Sequence, residues 1–389
     1  MLSFLLSLRA LKILVPTTIL ILILSSYHRI DLGQYVVHEA PLSPGVESPL
    51  SPGAEGLNRD ADGFMTVPEA EERCRAQQWQ VYPQRKTHRK IYDLFIINTE
   101  LDWLEIRLNE LKDQVDYFVI LESASTFTGL PKSLCLKDHW AQFSAFHHQI
   151  IYQELNDTGF SSDVAWDREA FQRNAMFNQV FPNLSGDQKA RFDDVILVSD
   201  IDEIPRPETL QLLRNCKYPR RLTLRSRFYY YSYQWLHRGV EWHHPQATFY
   251  EGDDTIRPED LRMGHGVDPN DPERDKADLW NASWHCSSCY ATIEEMTRKL
   301  ASFSHTNWNL PEFREPSRLV QVVRNGQDLY DNESEKYDRV ESNPDIPEYI
   351  RAHKEKFAYM IDRDPANANF RDYPGNYTVK EEGSGQTAA

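Results

Sequence analysis

Asp200 and Asp202 stand two residues apart just after the apolar run Val195-Ile196-Leu197-Val198-Ser199, and Glu203-Ile204-Pro205 follows at once. Carboxylates packed this closely suit a hard divalent cation, Mn2+ or Mg2+, which takes carboxylate and phosphate oxygens together. In an extended chain, residues two apart face the same side. Both aspartates are therefore expected to address one ion, with Glu203 as a further catalytic or substrate ligand or as a support behind the metal ligands, and Asp193 and Asp194 on the flank. A bare D-x-D triplet says little, and the chain has two more, at 60–62 and 362–364. Only the pair at 200 and 202 follows a strand-like run. Ligands of open α/β sheets bind beyond the carboxyl ends of the strands, which is where this pair would lie. The plain alternative is a solvated acidic turn.

The elements that must position the pair are legible as pattern. Ile91–Ile97 reads as a buried strand, and Leu101, Leu104, Leu108 and Leu111 then recur at helical spacing. Strands are expected over 116–122, 149–152 and 195–199, and helices over 166–181, 207–214 and 292–303. A further β-rich run covers 221–233. Strands alternating with helices predict an α/β fold with a mostly parallel sheet. Asn98 would end the first strand and Glu122 the second, so both are candidates to line a donor pocket. Arg173 and Lys299 are candidates to meet a diphosphate. For each of the four, a cap or a surface ion pair is the competing reading. The aromatic run Phe228–Trp235 is either a core strand or a sugar-stacking surface. His243 and His244 receive no role.

The chain has 389 residues and a formal net charge of −16. No basic face for nucleic acid is expected. Arg9 and Lys12 precede an uncharged apolar stretch beginning at Ile13. This reads as a cytosolic N-terminus (1–12) and a signal anchor (13–30). A cleaved signal peptide is the alternative, disfavoured by the poor cleavage sequence after Leu24. Positive charge ahead of the span puts the remainder in the lumen, as a single-pass type II protein. Pro-Leu-Ser-Pro-Gly occurs at 41–45 and again at 49–53, so residues 31–89 are expected to be a flexible luminal stem. The catalytic domain is then 90–360, with a polar tail over 361–389. Sequons at Asn156, Asn183, Asn281, Asn332 and Asn376 agree with a secretory route. Of the cysteines Cys74, Cys135, Cys216, Cys286 and Cys289, an odd count leaves at least one unpaired. Cys286 and Cys289 have the spacing of a zinc half-site but no second half, so a disulfide between them is preferred.

Three ordered motifs carry a family resemblance. They are Asp200-Ile201-Asp202-Glu203-Ile204-Pro205, the run Ile97–Leu111 with Val119–Ser123, and Trp284-His285-Cys286-Ser287-Ser288-Cys289 with Lys299-Leu300. Together they resemble glycosyltransferase family 17 over roughly residues 88–360. The resemblance implies a GT-A-like fold, a Rossmann-type mixed sheet flanked by helices as a single catalytic domain. It implies an inverting, metal-dependent transfer of N-acetylglucosamine from UDP-GlcNAc, in β-1,4 linkage, to the mannose of glycoprotein N-glycans in the Golgi or early secretory pathway. It also offers His285 as a third metal ligand beside Asp200 and Asp202; a buried structural histidine is the alternative. Inversion needs one base for the acceptor hydroxyl. Glu241, Asp254 and Glu294 are unranked candidates. Competing functions are transfer with another donor or acceptor, a non-catalytic glycan-binding protein, and a metal-dependent phosphohydrolase.

Overall fold

A computed structural model describes residues 63–266 and 275–374. The proposed anchor, most of the stem and the sequon at Asn376 lie outside the described residues. In chain order the main elements are α1 (Val67–Ala76), β1 (Gln80–Val81), β2 (Ile91–Ile97), α2 (Leu101–Leu111), β3 (Tyr117–Glu122), α3 (Cys135–Asp138), β4 (Ile150–Glu154), α4 (Ala165–Asn178), β5 (Val195–Val198), β6 (Glu203–Pro205) and α5 (Pro207–Asn215). There follow β7 (Cys216–Lys217), β8 (Arg221–Tyr230), β9 (Ser232–His237), β10 (Gln246–Phe249), α6 (Pro258–Arg262), β11 (Lys276–Ser287), α7 (Ile293–Ser302), α8 (Pro316–Asn325), β12 (Tyr337–Arg339), α9 (Glu348–Ala352) and α10 (Ala358–Ile361).

Ten of the strands form one mixed sheet in the order β12-β9-β8-β10-β5-β2-β3-β4, with β11 paired to β8 and β6. Strands β5, β2, β3 and β4 are parallel, and β10 joins antiparallel to both β5 and β8. The expected parallel sheet is thus one half of the structure. The other half is mixed, with β11 parallel to β8 and the remaining pairs antiparallel, and short strands such as Gln246–Phe249 carry little period-2 signal. The chain runs outward from β2 to β3 and β4, then returns to place β5 on the other side of β2. That reversal makes the gap between β2 and β5 a topological switch point, where a crevice opens beyond the strand ends.

Alternation along β2 divides the core. Ile91, Phe95 and Ile97 pack with Trp103, Leu104 and Leu108 of α2 on one face. Tyr92 and Leu94 pack with Ala175, Met176 and Phe177 of α4 on the other. The leucine stripe of α2 is therefore buried, as its spacing requires. A third cluster joins α7 and α8 to the aromatic strand residues Tyr230, Tyr231 and Trp235.

Folded chain reaches further in both directions than the sequence pattern implies. Residues 63–89, which fall inside the segment read as stem, are folded. Cys74 of α1 is bonded to Cys216, and β1 pairs with β7. Phe64 and Tyr82 are buried, and the Arg89 guanidinium lies 4.1 Å from the Tyr82 ring centroid. The low apolar content of this segment hid anchors that are few but individually strong. Beyond 360, Arg363 is fully buried and donates to the carbonyls of Tyr231, Tyr290 and Ala368. Residues 361–374 thus belong to the folded unit.

Candidate active site

β5 ends at Val198, and residues 199–202 form a turn in which the Glu203 N–H donates to the Asp200 carbonyl (3.0 Å). Asp200 and Asp202 are therefore turn residues, and strand alternation does not place them. Arg107 does. Its guanidinium is wholly buried and bonds both oxygens of Asp93, at 2.8 and 2.7 Å. It also donates to Ser199 Oγ (2.6 Å) and to the carbonyls of Asp200 (2.8 Å), Ile201 (3.3 Å) and Glu203 (2.9 Å). One side chain from α2 thus ties β2 to the whole turn.

Glu203 is expected either to act on ligand or substrate directly or to support the metal ligands from behind, and its surroundings fit the supporting part. Its carboxylate is fully buried and takes Arg262 Nη1 at 2.7 Å, Arg262 Nη2 at 3.0 Å, Trp242 Nε1 at 2.6 Å and the Asp200 N–H at 2.7 Å. Burial pushes its pKa up, but the paired Arg262 outweighs burial and holds the carboxyl far below its usual range. With its oxygens so engaged, Glu203 holds the turn and has no lone pair in reach of a ligand.

Asp200 remains half exposed and lies between two arginines, Arg262 at 2.7 Å and Arg173 at 3.5 Å. Arg173 is itself held by Glu169 (2.5 Å) and Glu259 (2.7 Å). Asp202 is different. Its carboxylate makes no hydrogen bond among the described residues and lies 3.8 Å from His285 Nδ1. Burial raises its pKa to about 6, with His285 and Lys299 pulling the other way. His285 sits opposite Glu203 in the β6–β11 register. Its ring stacks on Trp242 (4.8 Å between centroids, 11° between planes), and its buried Nδ1 has no hydrogen-bond partner.

That orphan nitrogen beside an under-bonded carboxylate fits a divalent cation, with Asp200 at the margin. Among the described residues no group of three or more His, Cys, Asp or Glu converges to hold an ion alone. Oxygens of a bound ligand would have to complete the set.

Across the crevice, Asn98 ends β2. Its Nδ2 lies 3.4 Å from Ser302 Oγ, and its buried Oδ1 is unpartnered. The Lys299 ammonium makes no hydrogen bond or ion pair with the described residues. Tyr290, Glu100 and Asp202 around it raise its pKa against the effect of burial, so it stays charged. Asn98 and Lys299 thus border the opening with Asp202. Glu122 does not. Its buried carboxylate accepts the N–H groups of Leu136 (2.9 Å) and Lys137 (3.2 Å) and the Tyr152 hydroxyl (2.9 Å), which fixes the start of α3. The donor-binding expectation for Glu122 is therefore corrected to a structural one.

Asp254 follows β10, whose end pairs with the start of β5, so it lies at the opposite edge of the sheet. Glu241 accepts the Asn281 N–H (3.0 Å), and Glu294 is an exposed partner of Arg298. Tyr229–Trp235 are buried and form core, not a sugar platform. His244 packs on Trp242, and burial, helped by Arg262, lowers its pKa to about 4. Cys286 and Cys289 are bonded to each other and Cys135 is free. Asn156, Asn183 and Asn332 are exposed, while Asn281 accepts from Arg206 (2.7 Å).

Asp93, Arg107, Trp242 and Arg262 were not singled out from sequence. Two left a signal. Asp93 interrupts an apolar strand, and Arg107 falls on the apolar stripe between Leu104 and Leu111. Two opposite charges so placed must pair, because a buried charge without a partner is too costly.

The family model described as Glycosyltransferase family 17 matches residues 64–364. The Homo sapiens and Rattus norvegicus proteins named beta-1,4-mannosyl-glycoprotein 4-beta-N-acetylglucosaminyltransferase are each 24% identical over 315 residues, or 72% of this chain. The match takes in 56% and 55% of those proteins, so the chain spans little more than half the length of the curated relatives it matches. A solved mannosyltransferase from Pyrobaculum calidifontis, in complex with GDP-Man and Mn2+, is 12% identical with a TM-score of 0.30 over 65% of this chain and 68% of its own. A T. maritima inositol-1-phosphate CTP transferase gives a TM-score of 0.23 at 6% identity, over 51% and 84%. Nothing below rests on these two likenesses.

Proposed function

Since this chain belongs to glycosyltransferase family 17, we propose that it is an inverting, metal-dependent transferase with a GT-A-like fold. It moves N-acetylglucosamine from UDP-GlcNAc, in β-1,4 linkage, onto the mannose of a glycoprotein N-glycan. The observation that carries the reading is the crevice at the β2–β5 switch point. Its turn is fixed by Arg107 and Arg262, yet Asp202, His285 Nδ1, Asn98 Oδ1 and Lys299 face it with bonding capacity left over.

Asp202 and His285, with Asp200 beside them, would hold Mn2+ or Mg2+. When bound, the ion would supply Lewis-acid stabilisation of the departing diphosphate. Lys299 brings a second positive charge to the same anion. Asn98 offers a carbonyl oxygen, suited to an N–H of the donor. Arg107 and Arg262 keep the turn rigid, so that little reorganisation is required when charge develops. Arg173, expected as a diphosphate contact, instead bridges Glu169, Glu259 and Asp200. Its part is to orient Asp200.

We also read residues 13–30 as a signal anchor that places the enzyme in the Golgi lumen. Among the described residues no helix is long and apolar enough to cross a membrane, and the anchor segment lies outside them.

The test is a donor screen. The full chain is incubated with Mn2+, a panel of UDP- and GDP-sugars and a branched N-glycan, and product is read by mass. A single added N-acetylhexosamine with UDP-GlcNAc is expected. No transfer from any donor sinks the reading, and transfer of another sugar corrects the donor.

A further inference from the structure

Helix α4 links β4 to β5, so its N-terminus projects past the carboxyl edge of the sheet, over the crevice. Trp166 sits in its first turn and is 48% exposed; Val164, just before the helix, is 53% exposed. Trp166, Glu169 and Arg173 are spaced to share one helix face. At 1.5 Å per residue, Trp166 stands roughly 10 Å beyond Arg173 along the axis. Arg173 is the residue at 3.5 Å from Asp200. Trp166 therefore lies at the mouth of the opening, not on a remote face.

A second element meets it there. The loop after α7 brings the His305 ring edge-on to Trp166 at 4.7 Å and 85°, with Phe303 5.5 Å behind. The Ser304 hydroxyl donates to Glu169, the carboxylate that also holds Arg173. The aromatic corner is thus fastened to the chain of groups that ends at Asp200. Exposed Asp163 and Asp167 lie beside Trp166 in the chain.

We propose that Trp166 and His305 form a shelf for the carbohydrate acceptor, on which one pyranose ring of the glycan stacks at some remove from the sugar that reacts. A pyranose has an apolar C–H face and a rim of hydroxyl donors. The indole face suits the first, and the flanking carboxylates of Asp163 and Asp167 suit the second. The same carboxylates repel phosphate and other anions, which separates this surface from the donor side with Lys299. The proposal rests on the transferase reading and supplies residues for its acceptor half.

The experiment uses the full chain, UDP-GlcNAc and Mn2+, with a branched N-glycan released from protein as acceptor. Trp166→Ala and His305→Ala are each expected to raise the acceptor KM roughly tenfold, the equivalent of about 1.4 kcal/mol, while the donor KM stays where it was. Trp166→Phe should restore most of the loss. An unchanged acceptor KM overturns the shelf. So does an effect seen only when the glycan is still attached to a polypeptide, since that would mark a peptide contact. A joint collapse of donor and acceptor constants would mean a structural role and overturns it too. If no donor is used at all, the free glycan is titrated against the protein by calorimetry. Binding that Trp166→Ala abolishes keeps the shelf even though the transferase reading has failed; no binding removes both.

Discussion

The two sides of the crevice are finished differently. On the β5–β6 side, Arg107 and Arg262 meet Asp93, Ser199, Glu203, Asp200 and three carbonyls, and Glu203 has both oxygens fully occupied. On the side bordered by β2 and α7, Asn98 Oδ1 is buried and unbonded, and the Lys299 ammonium makes no hydrogen bond with the described residues. Asp202 and His285 sit at the join. Buried polar groups are mostly satisfied in a folded protein; orphan atoms occur elsewhere in this chain too, but only here, among the described residues, do a carboxylate, an imidazole nitrogen, an amide oxygen and an ammonium with bonding capacity left over adjoin a rigidly held turn. Carboxylates three residues apart in sequence, or neighbours as Asp202 and Glu203 are, can fall on opposite sides of this divide.

The contrast breaks most visibly at Arg107. Arg107→Leu leaves Asp93 buried and unpaired, a change that typically costs about 3–5 kcal/mol. Chemical denaturation should show a loss of that size, and a loss under about 1 kcal/mol would mean that the clamp is not what fixes the turn. Glu203→Gln should likewise destabilise, by about 2–4 kcal/mol, because Arg262 loses its buried counter-charge.

Asp202→Asn should do the reverse. We expect transfer to fall at least about a hundredfold, the scale of losing one charge-stabilising group, with the fold no less stable than wild type. Retained transfer would remove Asp202 from the donor site. A pH experiment without cations sharpens the point. Folding raises the Asp202 pKa from near 3.9 to about 6. The native state therefore binds the extra proton in between, and that contribution is full below pH 4 and lost as pH climbs through 6. Relative to wild type, Asp202→Asn should gain up to about 3 kcal/mol between pH 4 and pH 7 in chelator. A flat difference would show that burial does not strain this carboxyl.

The smallest effect belongs to Lys299. Lys299→Met should raise the donor KM by about tenfold, near 1.4 kcal/mol, with little change in Tm. A large fall in Tm would place Lys299 with the structural side.

Sequence patterning located the core of this arrangement because the parallel strands and the α2 stripe are strongly periodic. The β5 strand that leads to Asp200 and Asp202 could be read directly, but the turn that holds them could not, because Arg107 and Arg262 shape it rather than strand alternation. What chooses among carboxylates could not. Glu203 and Glu122 look as available as Asp202 in sequence, and only the tertiary approach of Arg262, Trp242 and the start of α3 takes their lone pairs. Arg262 comes from a short helix 59 residues beyond Glu203, with no local pattern to announce it. The β-rich run at 221–233 is strand, and of its two readings, core strand or sugar-stacking surface, burial of Tyr229–Trp235 decides for core. Trp166 and His305 are two of several exposed rings; they lie in separate segments and meet only in the fold.

The Cys74–Cys216 bond has a mechanical consequence. Cys216 follows α5, which runs back from the acidic turn to the amino edge of the parallel strands, and Arg89 at the head of β2 bonds the carbonyls of Leu213 and Cys216. A pull on the chain at residue 63 is therefore taken up by a covalent rivet on the face away from the crevice. The load enters at Cys216, the far end of α5, and through Arg89 at the head of β2, so it meets a helix and a buried strand before it reaches the turn that carries Asp202.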